Sequence, residues 1–283
     1  MVSPLPVHSV HIEKLASHDQ MAYSMVGHPQ NAPHSAGPTN NQSILGLFAS
    51  LGNRFRRLFS HLAVKIFSCL FYGQAGGAYR EVPLSPESLQ RLQVVGRKTL
   101  VLDLDETLVH SCYTDPETQD EIGCSQIPAK AVPDFRISVS IDEVSNIPFR
   151  VFKRPHVDKF LNLVSKWYDL VIYTASLEVY ASKVVDLLDG GREMLTRRLY
   201  RQHCHSNTTL FTKDLTLVNE DLRGVFIIDN SPNAYVYFPH NALPIKSFIY
   251  DPNDRELLNL LPFLDALRFT KDVRSVLGRR VSA

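Results

Sequence analysis

An apolar run, Leu100-Val101-Leu102, ends on Asp103, and a second aspartate follows at Asp105, inside the string VLDLDETLVH (101–110). In a strand, alternate residues share a face. At the strand's end the chain turns, and both carboxylates can reach one bound ligand. Two carboxylates this close repel, so burying them requires a cation or a shared proton. Mg²⁺ meets that need, because it takes oxygen ligands and prefers one or two protein carboxylates together with substrate phosphate. Taken alone, the spacing also suits an acidic strand-to-loop turn or a pure metal site.

The pattern downstream puts this turn in a larger frame. Strands are expected over 98–103, 168–173, 225–229 and 245–250, and helices over 156–167, about 178–188 and 255–268. A short helix is expected at 85–93, and 135–141 with 148–153 reads as a hairpin. Strands alternating with helices argue for an α/β fold, a parallel sheet with helices on both faces. Ligands bind such sheets beyond the carboxyl ends of the strands, and Asp103, Thr174 and Asp229 all stand there. The insertion at 111–150 is short. It can shape an entrance but cannot bury a small substrate, which favours a macromolecular one.

Composition adds limits. With 44% hydrophobic and 21% charged residues, the 283-residue chain is ordinary for a globular protein. Its net charge of +1 gives no electrostatic footprint for nucleic acid. Cys69, Cys112, Cys124 and Cys204 show no CxxC spacing, which fits a reduced, cytosol-facing environment. His203-Cys204-His205 lacks a second ligand pair for zinc.

Residues 1–43, rich in Pro, Ser, His, Asn and Gln, are expected to be disordered. Residues 44–73 carry Arg54, Arg56, Arg57 and Lys65 with no acid. There Ile44, Leu47, Phe48, Leu51, Phe55, Leu58, Phe59, Leu62, Ile66 and Leu70 recur at three- and four-residue steps. No charge-free apolar run reaches the roughly 18 residues that span a bilayer. A basic amphipathic helix lying in a membrane interface is the expectation. A helix packed on the catalytic domain is the alternative. Residues 74–96 read as a linker, and 97–280 as the catalytic domain.

The motifs of that last region are similar to those of a known family. Asp103-Leu104-Asp105-Glu106-Thr107 resembles the DxDxT motif of the haloacid-dehalogenase (HAD) phosphotransferases, and DLDETLVHS has the form of the CTD-phosphatase-like branch. The likeness continues in order through FKRPHVDKFL (152–161), VIYTASLEVYASKVVDLLD (171–189), RRLYRQHC (197–204), KDL (213–215) and IIDNSPNAYVYFPHNALPIKSF (227–248). NLLPFLDALRFTKDVRSVL (259–277) is most like the Dullard-type nuclear-envelope phosphatases.

The resemblance implies a HAD-like three-layer fold with a parallel central sheet, a short inserted β-hairpin cap and an N-terminal amphipathic helix. It implies Asp103 as the nucleophile forming an aspartyl-phosphate, and Asp105 as general acid, then base. Thr174 and Lys213 would hold the phosphoryl group, with Arg201 near the substrate. Mg²⁺ would be bound by Asp103, by the backbone carbonyl of Asp105, by Asn230 directly, and by Asp229 directly or through water. Without the resemblance, Thr174 reads equally as a helix cap, Lys213 as a surface lysine and Asp229-Asn230-Ser231-Pro232 as turn chemistry. Trp167 reads as core.

The implied activity is that of a serine/threonine phosphoprotein phosphatase at the nuclear envelope or endoplasmic reticulum, facing cytosol or nucleoplasm. A lipin-type phosphatidate phosphatase is the implied substrate and a small membrane protein the regulatory partner. A soluble phosphatase of the RNA polymerase II tail and a non-catalytic HAD-fold membrane adaptor are the competing readings. The stretch 114–130 matches no pattern of the family.

Overall fold

The computed structural model describes residues 79–116, 118–140, 146–207 and 210–281. The expectations for 1–43 and 44–73 lie outside them. Five strands form an all-parallel sheet: β1 (Lys98–Leu102), β6 (Tyr168–Tyr173), β7 (Arg197–Leu199), β10 (Val225–Asp229) and β11 (Ala242–Pro244), in the order β11-β10-β1-β6-β7. Every residue of β1 and β10 is buried. That is why Leu100–Leu102 and Val225–Ile228 read as continuous apolar runs rather than as alternating ones.

Their alternate residues divide the core in two. Leu100, Leu102, Leu170, Ile172, Phe226 and Ile228 pack with the helices, whereas Val101, Val171, Tyr173, Val225 and Ile227 face the other way. On the first face lie α2 (Val157–Trp167), α3 (Glu178–Asp189) and α4 (Glu256–Leu267). In α2, Val157, Phe160, Leu161, Val164 and Trp167 form the buried stripe, with Asp158 in the first turn and Lys166 in the last. Each such side chain contributes about 1.5–3 kcal/mol on burial.

On the second face the structure departs from the expectation. Among the described residues no α-helix contributes to that cluster; single 3-10 turns at Leu215–Leu217, Leu222–Gly224 and Pro232–Tyr235 carry residues that cover it. The segments between Thr212 and Ala242 are too rich in Pro, Asn and Gly for a longer helix.

The insertion forms more than a hairpin. The expected pair is present as β4 (Phe135–Ser140) and β5 (Asn146–Lys153), and β2 (Val109–Thr114) and β3 (Glu121–Ile122) extend it to four antiparallel strands, order β3-β2-β5-β4. A separate two-stranded ribbon joins β8 (His205–Asn207) to β9 (Leu210–Thr212).

The strand expected at 245–250 is a correction. The parallel strand is β11, three residues upstream, pairing Ile227 with Ala242 and Asp229 with Pro244. Beyond Ile245, whose N–H still donates to Asp229, the chain leaves the sheet to lie over the site. There the Phe248 N–H donates to the carbonyl of Glu106, and the carbonyl of Lys246 accepts from Arg154. Those bonds replace a ladder.

The helix expected at 85–93 is α1 (Pro86–Val95), begun by Ser85, whose hydroxyl accepts the Ser88 N–H, and by a proline at its first position. Just before it, the Tyr79 hydroxyl donates to Asp265, and Glu81 accepts from Lys166 and Trp167. The last helix, α5 (Arg274–Val281), closes the fold.

Candidate active site

β1 lies between β10 and β6, so the chain departs from it in both directions, and the crevice of a parallel sheet opens at such a point. Asp103 is the first residue beyond β1, and its N–H donates to the carbonyl of Ile228 in β10. Asp229 ends β10 next to it. Lys213 follows β9, its N–H held by the carbonyl of Ala234. Its ammonium donates to Asp103 Oδ1 at 2.5 Å and to Asp229 Oδ2 at 2.6 Å.

All three groups are buried. Burial opposes the charge of Lys213, but the two carboxylates outweigh it and raise its pKa. Burial, followed by the charge of Asp103, pushes the Asp229 carboxyl up to about 7. With both acids ionised, one cation between them leaves the cluster a negative charge in excess.

Asp105 faces elsewhere. Its Oδ2 accepts from Ser176 at 2.6 Å and its Oδ1 from Tyr180 at 2.7 Å. Burial raises its pKa, and the two hydroxyls oppose that shift. The two aspartates of the motif thus meet different chemistry, an ammonium for one and neutral hydroxyls for the other. Between them Glu106 holds the left-handed region at φ 57°, a conformation uncommon for a residue with a side chain. It is fixed there by its N–H to Val109, its carbonyl to Phe248, and its carboxylate to His110 Nδ1 at 3.1 Å.

Thr174 is buried just beyond β6, where its hydroxyl accepts the Ser176 N–H at 3.0 Å. Asn230 bonds on both sides: its carbonyl oxygen accepts from Thr107 at 3.2 Å and its amide donates to Ser247 at 3.0 Å. Arg201 stands at the margin. Its Nε donates to the carbonyl of Ala175 at 2.5 Å, and its guanidinium lies 4.9 Å from the centre of the Phe211 ring. The structure therefore joins Asp103, Lys213 and Asp229 directly, and sets Asp105, Thr174, Asn230 and Arg201 around them.

Other residues escaped the sequence reading. Ser176 and Tyr180 lie inside the quoted motif VIYTASLEVYASKVVDLLD, but nothing in their spacing points to Asp105. Arg154 is fully buried. It forks onto Asp254 at 2.9 and 2.8 Å and also donates to the carbonyls of Thr107 and Lys246. It ties the DxDxT loop to the segment that lies over the site. In the sequence Arg154 sits beside a second cation, in Phe152-Lys153-Arg154-Pro155, and nothing there distinguishes a buried arginine from an exposed one.

The chemistry of the donor set suits a hard divalent cation. Among the described residues no three His, Cys, Asp or Glu side chains converge on one point. Two carboxylates do, Asp103 and Asp229, with an amide oxygen at Asn230 and surplus negative charge. Mg²⁺ asks for one or two carboxylates and oxygen donors, so these residues fit it. The stretch 203–205 has other partners: His203 Nδ1 accepts the Tyr200 N–H, Cys204 lies 3.7 Å from the carbonyl of Thr174, and His205 lies 3.5 Å from Asp214.

Residues 98–274 match the family described as NLI interacting factor-like phosphatase, well over half of the chain. The chain belongs to that family. It is a HAD-type protein phosphatase. CTD nuclear envelope phosphatase 1 homolog of Drosophila melanogaster is 54% identical over 203 residues, covering 72% of this chain and 81% of the fly protein. CTD nuclear envelope phosphatase 1 of Xenopus tropicalis is 53% identical over 203 residues, covering 72% and 80%. The solved structure of Fcp1, an essential RNA polymerase II CTD phosphatase, gives a TM-score of 0.44 at 23% identity, over 70% of this chain and 56% of that one. Among the described residues no helix is long and apolar enough to cross a membrane.

Proposed function

We propose that the chain is a Mg²⁺-dependent protein serine/threonine phosphatase that works through an aspartyl-phosphate on Asp103. The observation that carries this reading is the Lys213 ammonium bridging Asp103 and Asp229 at the ends of β1 and β10. Phosphoryl transfer needs an in-line nucleophile, neutralised equatorial oxygens and help for the leaving group. Lys213 occupies Oδ1 of Asp103, which leaves Oδ2 to meet phosphorus. As the P–O bond to the serine or threonine breaks, Asp105 gives its proton to the departing oxygen. It then takes one from the water that hydrolyses the acyl phosphate. A carboxyl whose pKa is raised by burial suits that exchange. Lys213 and the Thr174 hydroxyl hold phosphoryl oxygens. Arg201, at the margin, meets the substrate chain.

Asp103, Asp229, Asn230 and the Asp105 carbonyl would hold Mg²⁺. When bound, it neutralises phosphoryl charge. Calcium, with its longer bonds and higher ligand number, should bind and inhibit.

The relatives' names refer to the nuclear envelope. With the basic apolar stripe at 44–73 they support a membrane-associated enzyme at the nuclear envelope or endoplasmic reticulum. A lipin-type phosphatidate phosphatase is the substrate we put first, and a small membrane protein the regulatory partner.

The test is turnover of a phosphoserine peptide panel and an aryl phosphate, with Mg²⁺ and with excess chelator. Asp103→Asn should lower kcat at least ~10⁴-fold while the thermal melt stays near wild type. Full activity in chelator, or in Asp103→Asn, would overturn the mechanism. Flotation with anionic liposomes tests location. Wild type should float, and a chain with Phe55, Leu58 and Phe59 each replaced by Asp should stay in the soluble fraction, since apolar insertion and roughly 1 kcal/mol per basic residue hold such helices.

A further inference from the structure

The cradle around Asp105 goes beyond the residues the mechanism uses. Both oxygens of this carboxyl are held by hydroxyls, Ser176 at 2.6 Å and Tyr180 at 2.7 Å. Tyr180 is itself held, since Ser111 Oγ lies 2.5 Å from its hydroxyl. A phenol has one proton; with that proton on Asp105, Ser111 must be the donor to Tyr180. The result is a directed chain, Ser111 to Tyr180 to Asp105.

Each member stands on a different element. Ser111 is in β2 of the inserted sheet, Tyr180 in α3, Ser176 in the turn after β6, and Asp105 beyond β1. The Tyr180 ring is 96% buried and lies 5.0 Å from Phe149 of β5, so its hydroxyl has little freedom to leave. No donor in this cradle carries a charge. Two hydroxyls from different elements fix the position and orientation of the carboxyl.

We infer that Tyr180 and Ser176 are positioning residues that fix the Asp105 carboxyl for proton transfer to the leaving oxygen, and that Ser111 ties this aim to the inserted sheet. The inference rests on the reading of Asp105 as the general acid. When Asp105 gives its proton to the departing alkoxide, its two anchoring hydroxyls stabilise the carboxylate that results. No further reactant is needed.

The consequence is selective. A serine alkoxide is a poor leaving group and needs the proton; a dinitrophenolate leaves without one. General acid catalysis contributes about 10²- to 10⁴-fold, so misplacing the acid should cost part of that on phosphoserine alone. The readout is the ratio of kcat/KM on a phosphoserine peptide to kcat/KM on 2,4-dinitrophenyl phosphate, which covers only the steps up to departure of the leaving group, measured with purified full-length protein in Mg²⁺. Tyr180→Phe and Ser176→Ala should each lower that ratio about tenfold. Ser176→Thr, which keeps a hydroxyl, should restore it, and Ser111→Ala should lower it less. A thermal melt of each variant separates this effect from loss of fold, and Tyr180→Phe serves if Ser176→Ala does not fold.

Asp105→Asn is the reference. If it lowers the ratio while Tyr180→Phe and Ser176→Ala leave it at the wild-type value, the cradle is only packing and the inference is wrong. If Asp105→Asn lowers kcat/KM for both substrates equally, the general-acid reading fails and the inference falls with it.

Discussion

Two buried cations, Lys213 and Arg154, lie in the same domain and serve opposite ends. Arg154 meets one carboxylate, Asp254, and two further N–H groups are taken by the carbonyls of Thr107 and Lys246. Its charge is balanced. Lys213 meets two carboxylates, Asp103 and Asp229, and the balance is one negative charge too many. A buried ion pair that closes its own account is structure; a buried cluster with charge left over is prepared for a ligand that is absent from the chain itself. A divalent cation, which takes carboxylate oxygens, would offset that surplus.

Substitutions can break or sharpen that contrast. Arg154→Met should have the largest effect, since it strands Asp254 and two carbonyls. Removing one partner of a buried pair costs about 3–5 kcal/mol, which chemical denaturation would measure. A loss under about 1 kcal/mol would mean the pair is not what ties the loop to the segment above it.

Lys213→Met should cut kcat by about 10²- to 10³-fold, the range for losing one preorganised charge-stabilising donor. It also leaves two carboxylates facing each other without a cation. Asp229, already raised by burial and by Asp103, loses the cation that opposes that rise, so stability is kept in acid and lost as pH rises. The melting temperature of the variant, relative to wild type, should therefore be better at pH 5 than at pH 8. An equal deficit at both would show that the surplus charge is not the source.

The smallest expected effect comes from an acid outside the site. Asp189 ends α3, and its carboxylate accepts the N–H groups of Glu193, Met194 and Leu195 at 2.8, 2.9 and 3.0 Å. Burial would raise its pKa, but those bonds prevail and hold it below the usual carboxylate range. A depressed folded pKa contributes stability above the unfolded value, about 4, and loses it as pH falls further. Asp189→Asn should cost about 1–3 kcal/mol at pH 7 and less at pH 3. A constant penalty across that range would contradict the assignment.

The parts of the molecule that could be read from sequence share one property: their signal is local. The buried strands β1, β6 and β10 carried apolar runs of three or four residues, and α2 carried its own stripe and its own end charges. β11 was misplaced because apolar content persists past Pro244, through Ile245 and Phe248, while the backbone has already turned to bond Glu106. Burial and pairing differ there, and periodicity reports only burial. The face covered by 3-10 turns was missed because a rule about alternating elements says nothing of how each face is covered. Within the site, Asp103 and Asp105 announced themselves by spacing. Lys213, Thr174 and Asn230 needed a family pattern, and Ser176, Tyr180 and Arg154 needed coordinates. Each of the last three acts on a partner 47 to 100 residues away, a distance no window along the chain can span.

That separation has a consequence in time. Asp103 and Lys213 are 110 positions apart, and Thr107 and Asn230 are 123. Closing such loops costs entropy before any contact rewards it, and pairings this distant in the chain form slowly. The helices on the first face can form earlier, from their own stripes. After dilution from denaturant, then, helical signal should return before turnover does. Catalytic recovery is the late clock of this molecule, and a chain caught between the two events would look folded by its helices and be inert.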